Sequence, residues 1–92
     1  MVSAFVLIAA DPGRVAELAA ELADIPGVAE VYSVTGDEDV IAVVRVREHE
    51  ALADVVTKHI ASLDGIRHTR TSIAYRAYSR HDIESMFDLG AN

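Results

Sequence analysis

Apolar positions change their period along this chain, and each change marks an element. Val2 to Ala10 is a continuous apolar run, the pattern of a strand buried on both faces. Asp11-Pro12-Gly13 interrupts it, with Asp11 suited to cap a helix and Pro12 to its first position, where a missing N–H costs nothing. Val15, Leu18, Ala19, Leu22 and Ile25 then recur at helical spacing, while Arg14, Glu17, Glu21 and Asp24 fall off that stripe. Pro26-Gly27 ends the helix. Val28 to Thr35 and Val40 to Arg47 read as strands joined by an acidic turn, a hairpin. A second helix is predicted from about Glu48 to Leu63, with Leu52, Val55, Val56, His59, Ile60 and Leu63 as its buried stripe. Asp64-Gly65 supplies its stop, and Ile66 to about Tyr78 forms the last strand.

The order β-α-β-β-α-β predicts an α+β, ferredoxin-like fold over residues 1–78, a four-stranded antiparallel sheet with two helices on one face. In the tail, residues 79–92, Ser79 and Asp82 resemble a capping box and Ile83, Met86 and Phe87 fall one turn apart, predicting a short docked helix. Two helices cover one sheet face, yet the other is apolar too: Ile41 and Val43 on the third strand, Phe5, Leu7 and Ala9 on the first. Hiding about 600 Å² of apolar area at about 25 cal/mol per Å² contributes roughly 15 kcal/mol before association costs. A sheet-to-sheet homodimer is therefore expected.

Composition narrows the class. With 92 residues, 51% of them hydrophobic and 25% charged, the chain makes one small globular domain. No apolar stretch reaches the roughly 18 residues of a membrane span, and no basic segment precedes the first strand, so a soluble cytoplasmic protein without a membrane partner is expected. The absence of cysteine removes disulfides, thiolate nucleophiles and Cys-ligated zinc. A net charge of −7 opposes direct binding to nucleic acid, which rests on Lys and Arg displacing counterions. No Ser-His-Asp order, phosphate loop or dinucleotide fingerprint occurs, so no catalytic residue, metal or cofactor is expected. His59 is placed on the buried stripe, His49 and His81 in solvent; Arg45, Arg67, Arg70 and Arg76 are expected in salt bridges, Tyr75 and Tyr78 at an interface.

Residues 34–40 read VTGDEDV, a glycine followed by Asp37, Glu38 and Asp39 at the hairpin turn. Gly and Asp serve turns on conformational grounds alone, and these acids lack the further oxygen ligands of a calcium loop. Residues 63–73, LDGIRHTRTSI, place Thr69, Thr71 and Ser72 on the last strand. Together with PGVAEVYSVTGDEDV, this pair of motifs closely resembles the effector domain of the Lrp/AsnC family, also called RAM, over residues 2 to about 78. The resemblance implies sheet-to-sheet dimers that assemble further, commonly as rings of four dimers, with a free amino acid bound between dimers near the hairpin. It assigns Gly36, Asp37 and Asp39 to the ligand pocket, Thr69, Thr71 and Ser72 to its other wall, and Ala61 to a nearby helix position. Chemically, a zwitterion's ammonium needs acceptors such as Asp37 or Asp39, its carboxylate needs N–H and hydroxyl donors, and Gly36 lets backbone approach. His68 falls near the same pocket.

Family members often carry aromatic residues where this chain has Glu38 and Val40, so pocket shape and ligand identity do not carry over. Full-length members also have an N-terminal helix-turn-helix domain, whereas this sequence begins at the effector domain's first strand. A stand-alone module is therefore expected, able to co-assemble with full-length Lrp/AsnC regulators. The competing expectation is a small dimeric ferredoxin-like enzyme of monooxygenase or isomerase type, with a cavity inside each subunit into which His59 points.

Overall fold

β1 (Val2–Ala10) pairs antiparallel with two neighbours at once, β3 (Val40–Val46) on one side and β4 (Ile66–Ile73) on the other. The computed structural model describes residues 1–80, and β2 (Val28–Ser33) completes a four-stranded sheet in the order β2-β3-β1-β4. The βαββαβ order is as expected. The tail helix predicted from Ile83, Met86 and Phe87 lies outside the described residues.

Alternation along the two central strands builds the core. Ala4, Val6 and Ile8 on β1 and Val40, Ala42 and Val44 on β3 are wholly inaccessible to solvent. They pack under Leu18 and Leu22 of α1 (Val15–Ala23), Leu52 of α2 (His49–Asp54), and Val55 and Ile60 of the segment that continues α2. Burying an aliphatic side chain of this size is worth about 1.5–3 kcal/mol, so this single layer dominates stability. No described polar side chain is buried in it.

The helices depart from expectation at instructive places. α1 starts at Val15, because residues 11–14 form a turn closed by the Arg14 N–H donating to the Asp11 carbonyl at 2.9 Å. Asp11 caps nothing with its side chain; its N–H instead donates to the Gly65 carbonyl at 2.8 Å, holding it to the loop before β4. The second helix turns π-helical over Val55–Ile60, with the Ala61 N–H donating to the Val56 carbonyl. This wider winding brings Val55 and Ile60, five residues apart, into the same core and leaves His59 exposed. His59 is therefore not the buried residue the helical stripe predicted. β4 also stops at Ile73 rather than Tyr78: Ile73 pairs with Ala4, and the last bond joins the Ala74 N–H to the Ser3 carbonyl.

The face of the sheet away from the helices carries Phe5 opposite Val43, and Leu7 and Tyr32 opposite Ile41. Phe5 is 42% and Tyr32 51% exposed. Charged groups frame this apolar strip: Arg45 pairs with Glu30 at 3.2 Å, Tyr32 donates its hydroxyl to Glu30, and Arg70 pairs with Glu38. The Tyr32 hydroxyl and then Arg45 hold the Glu30 carboxyl below the usual carboxylate range, against some desolvation. A carboxyl so depressed stabilises the fold above its ordinary pKa, and that contribution disappears as pH falls through the lowered value.

The turn after α1 sets a steric test. Gly27 has φ +99°, and an added Cβ would lie 3.0 Å from the Val55 Cγ2 and 3.1 Å from the Val46 Cγ1. Gly36 has φ +119° with nothing within 4 Å. Gly27→Ala is expected to lose about 3 kcal/mol in urea unfolding, strain plus overpacking, and Gly36→Ala about 1 kcal/mol, strain alone.

Candidate functional site

The acidic hairpin is tied to the sheet by Asp39. Its carbonyl accepts the Val34 N–H at 2.9 Å, its own N–H donates to the Ile8 carbonyl at 2.9 Å, and its carboxylate Oδ2 accepts the Ala10 N–H at 2.8 Å. Asp39 thus extends the β3 ladder by side chain as well as backbone, holding the end of β1. The next two acids diverge. Glu38 turns toward the open sheet face, where its largely covered side chain pairs with Arg70, and Asp37 stays exposed. Gly36 supplies the positive φ that the bend requires.

At this end of the sheet lies a cleft of about 590 Å³. Ala9 and Ala10 of β1, with Pro12 and Val15 at the start of α1, give it small apolar surfaces. Asp37 and Asp39 line it from the hairpin, and Arg67 and His68 from β4. The two basic residues meet the cleft because of a bulge. Ala9 pairs with His68 while Ala10 pairs with Ile66, so Arg67 is an extra residue in β4 with no partner on β1. Bulges of this kind re-aim side chains and bend the strand.

The remaining expected site residues are distributed elsewhere within one chain. Thr69 and Thr71 lie opposite Ile8 and Val6 on the helix side of the sheet, and Ser72 lies opposite Phe5 on the open side. Arg70, opposite Leu7, faces away from Thr69 and Thr71, as strand alternation requires. Thr71 contributes to a separate groove of about 290 Å³ between the second helix and β4, lined largely by Leu52, Val56 and Ile73. Ala61 follows the π-helical segment and is exposed. A single chain therefore brings Asp37 and Asp39 together beside Gly36 and keeps the threonines apart from them. Arg67 was missed as a cleft residue in the sequence, where it reads as one more surface arginine; the adjoining basic pair Arg67-His68, breaking the strand's alternation, is the signal that was there.

Among the described residues, no cluster of His, Asp and Glu gathers to hold a metal, and no helix is long and apolar enough to cross a membrane. Residues 3–83 match the Lrp/AsnC ligand binding domain, and the chain belongs to that family. It is 40% identical over 70 residues to an HTH-type transcriptional regulator of Pyrococcus abyssi, an alignment covering 76% of this chain and 44% of that protein. The chain spans about half the length of the HTH-type regulators it matches. Among solved structures it is similar to TTHA0845 from Thermus thermophilus, with a TM-score of 0.82 and 51% identity over 87% of this chain and 100% of that one. It is also similar to the feast or famine regulatory protein of M. tuberculosis complexed with L-methionine, with a TM-score of 0.71 and 35% identity over 87% of this chain and 54% of that one.

Asp39 has a structural duty that a ligand test must respect. Ala10 is only 3% exposed, so Asp39→Ala strands a buried N–H and is expected to cost about 1–3 kcal/mol. Asp39→Asn keeps an acceptor and is expected to lose less than half as much. Urea midpoints of the two variants, without ligand, check the difference.

Proposed function

We propose that this domain is a non-catalytic amino-acid-binding effector module, which senses a small free amino acid at the hairpin end of the sheet. The observation that carries the reading is the exposed Asp37 carboxylate in the cleft, free of any ion pair among the described residues and placed to accept a ligand ammonium. The family membership and the methionine complex of a 35%-identical relative support it. Gly36 shapes the bend, and Asp39 fixes the hairpin while adding its second oxygen. Thr69, Thr71, Ser72 and Ala61 are proposed to meet this cleft from an adjacent copy, because the fold separates them from it within one chain.

The assembly that would do this starts from the open sheet face. Phe5, Leu7, Tyr32, Ile41 and Val43 form an apolar strip with charged groups at its margins, the composition of a surface made for a second copy. We infer a homodimer through this face, dimers associating further as a ring of four, and co-assembly with full-length regulators of the family. The enzyme reading loses its main support, since His59, the polar residue it aimed into a subunit cavity, is exposed on the helix.

Phe5→Asp is expected to give a folded monomer at micromolar concentration where the unmodified chain is at least a dimer; light scattering that finds the unmodified chain monomeric overturns the assembly. Thermal unfolding with each of the twenty amino acids tests the ligand. A binder at 100 times its Kd adds about 2.7 kcal/mol, on the order of 10 °C for a domain of this size. Asp37→Asn is expected to abolish that shift and leave the unligated midpoint in place. No shift with any amino acid, from a folded oligomer, rejects the reading.

A further inference from the structure

We propose that Arg67 is the residue that receives the ligand's carboxylate, so that the cleft selects compounds carrying a free anionic group beside their ammonium. The inference rests on the amino-acid reading above and adds a specificity determinant to it.

Three of the chain's arginines are spent on ion pairs within it. Arg14 pairs with Glu17 and Glu21, Arg45 with Glu30, and Arg70 with Glu38. Arg67 lines a cleft with two carboxylates and yet, among the described residues, forms an ion pair with neither. Arg47 and Arg76 also form no ion pair among the described residues, but neither lines this cleft; Arg67 alone of the three shares a cavity with two carboxylates it does not pair with, which leaves room for a ligand between them. The bulge explains how it is held: as the extra residue opposite Ala9 and Ala10, Arg67 escapes the alternation of β4, and His68 stands beside it on the same cleft.

The carboxylates are not equivalent. Asp39 spends one oxygen on the Ala10 N–H, whereas Asp37 is uncommitted. The cleft therefore offers an uncommitted anion on the hairpin and an uncommitted cation on β4, over a floor of Ala9 and Ala10. That polarity matches an α-amino acid bound along its own dipole. A guanidinium fork takes a carboxylate through two parallel hydrogen bonds, which a neutral amide cannot reproduce. The overall negative charge favours amines at the protein surface, so without Arg67 the cleft would accept an amine or an amino-acid amide as readily as the amino acid.

The test compares unmodified protein, Arg67→Gln and Arg67→Lys by thermal shift against the twenty amino acids, followed by calorimetry with the strongest stabiliser and its C-terminal amide. Unmodified protein is expected to bind the acid at least tenfold more tightly than the amide. Arg67→Gln is expected to lose that preference by weakening the acid about tenfold, with amide affinity unchanged; Arg67→Lys, which keeps the charge without the fork, is expected to retain part of it. Arg67 is exposed, so the unligated melting point should not move, and that measurement separates lost binding from lost fold. If Arg67→Gln still prefers the acid as strongly as unmodified protein does, this inference falls while the amino-acid reading stands. If no amino acid stabilises unmodified protein, the reading falls and takes this inference with it.

Discussion

The bond from the Ala10 N–H to the Asp39 carboxylate is the constraint on which this end of the molecule depends. β1 is the strand shared by both halves of the sheet, and its last residues have no partner on β3, which begins at Val40, while on the other side they meet β4 at its bulge at Arg67. Without a substitute acceptor, a buried N–H at Ala10 would favour fraying just where the cleft needs a firm floor. Asp39 supplies that acceptor and, through its backbone, closes the hairpin and continues the ladder to Ile8. One residue thus determines where the loop sits, and the positions of Asp37 and Glu38 follow from it.

Much of this was legible in the sequence because it depends on local pattern. The alternation of Val40, Ala42, Val44 and Val46 against Ile41, Val43 and Arg45 requires no knowledge of neighbours, and the sheet faces follow from it. The same holds for the glycines at Gly27, Gly36 and Gly65, all of which adopt positive φ. What was not legible depends on partners distant along the chain. The Asp39 to Ala10 bond spans 29 positions, so a residue expected to face only ligand also proves to be a strap. His59 was misplaced because a helical wheel assumes one winding, and the π-helical turn changes it between Val55 and Ile60. The prominence of Arg67 needs the pairing register of β4 with β1, and a bulge leaves only a faint mark on the strand that carries it.

Charge is used in two ways on the two faces of the hairpin. On the open sheet side, Glu38 and Glu30 are satisfied by Arg70 and by Arg45 with Tyr32, so the margin of the apolar strip has its charges neutralised within the chain. Exposed pairs of this kind contribute little to stability, at most about 1 kcal/mol each. On the proposed dimer their effect would be on association: a surface whose charges are already paired could approach a copy of itself without setting like charges against each other. Toward the cleft the opposite holds, and Asp37 and Arg67 keep their charges unspent.

This division bears on why the threonines lie apart from the acids. Thr69 and Thr71 point to the helix side because β4 resumes strict alternation immediately after its bulge, whereas Arg67 and His68 reach the cleft because of that bulge. A single bulge therefore separates the strand into a basic stretch serving its own chain's cleft and a hydroxyl-bearing stretch turned elsewhere. On the proposed assembly those hydroxyls become useful only to a neighbouring copy, which would make ligand occupancy and association two readings of one equilibrium. A ligand held by groups from two copies stabilises their contact by the same free energy that the contact lends to its binding. On that proposal an effector module needs no more machinery: the geometry of one strand irregularity and one strap would decide which groups are left for a copy alongside.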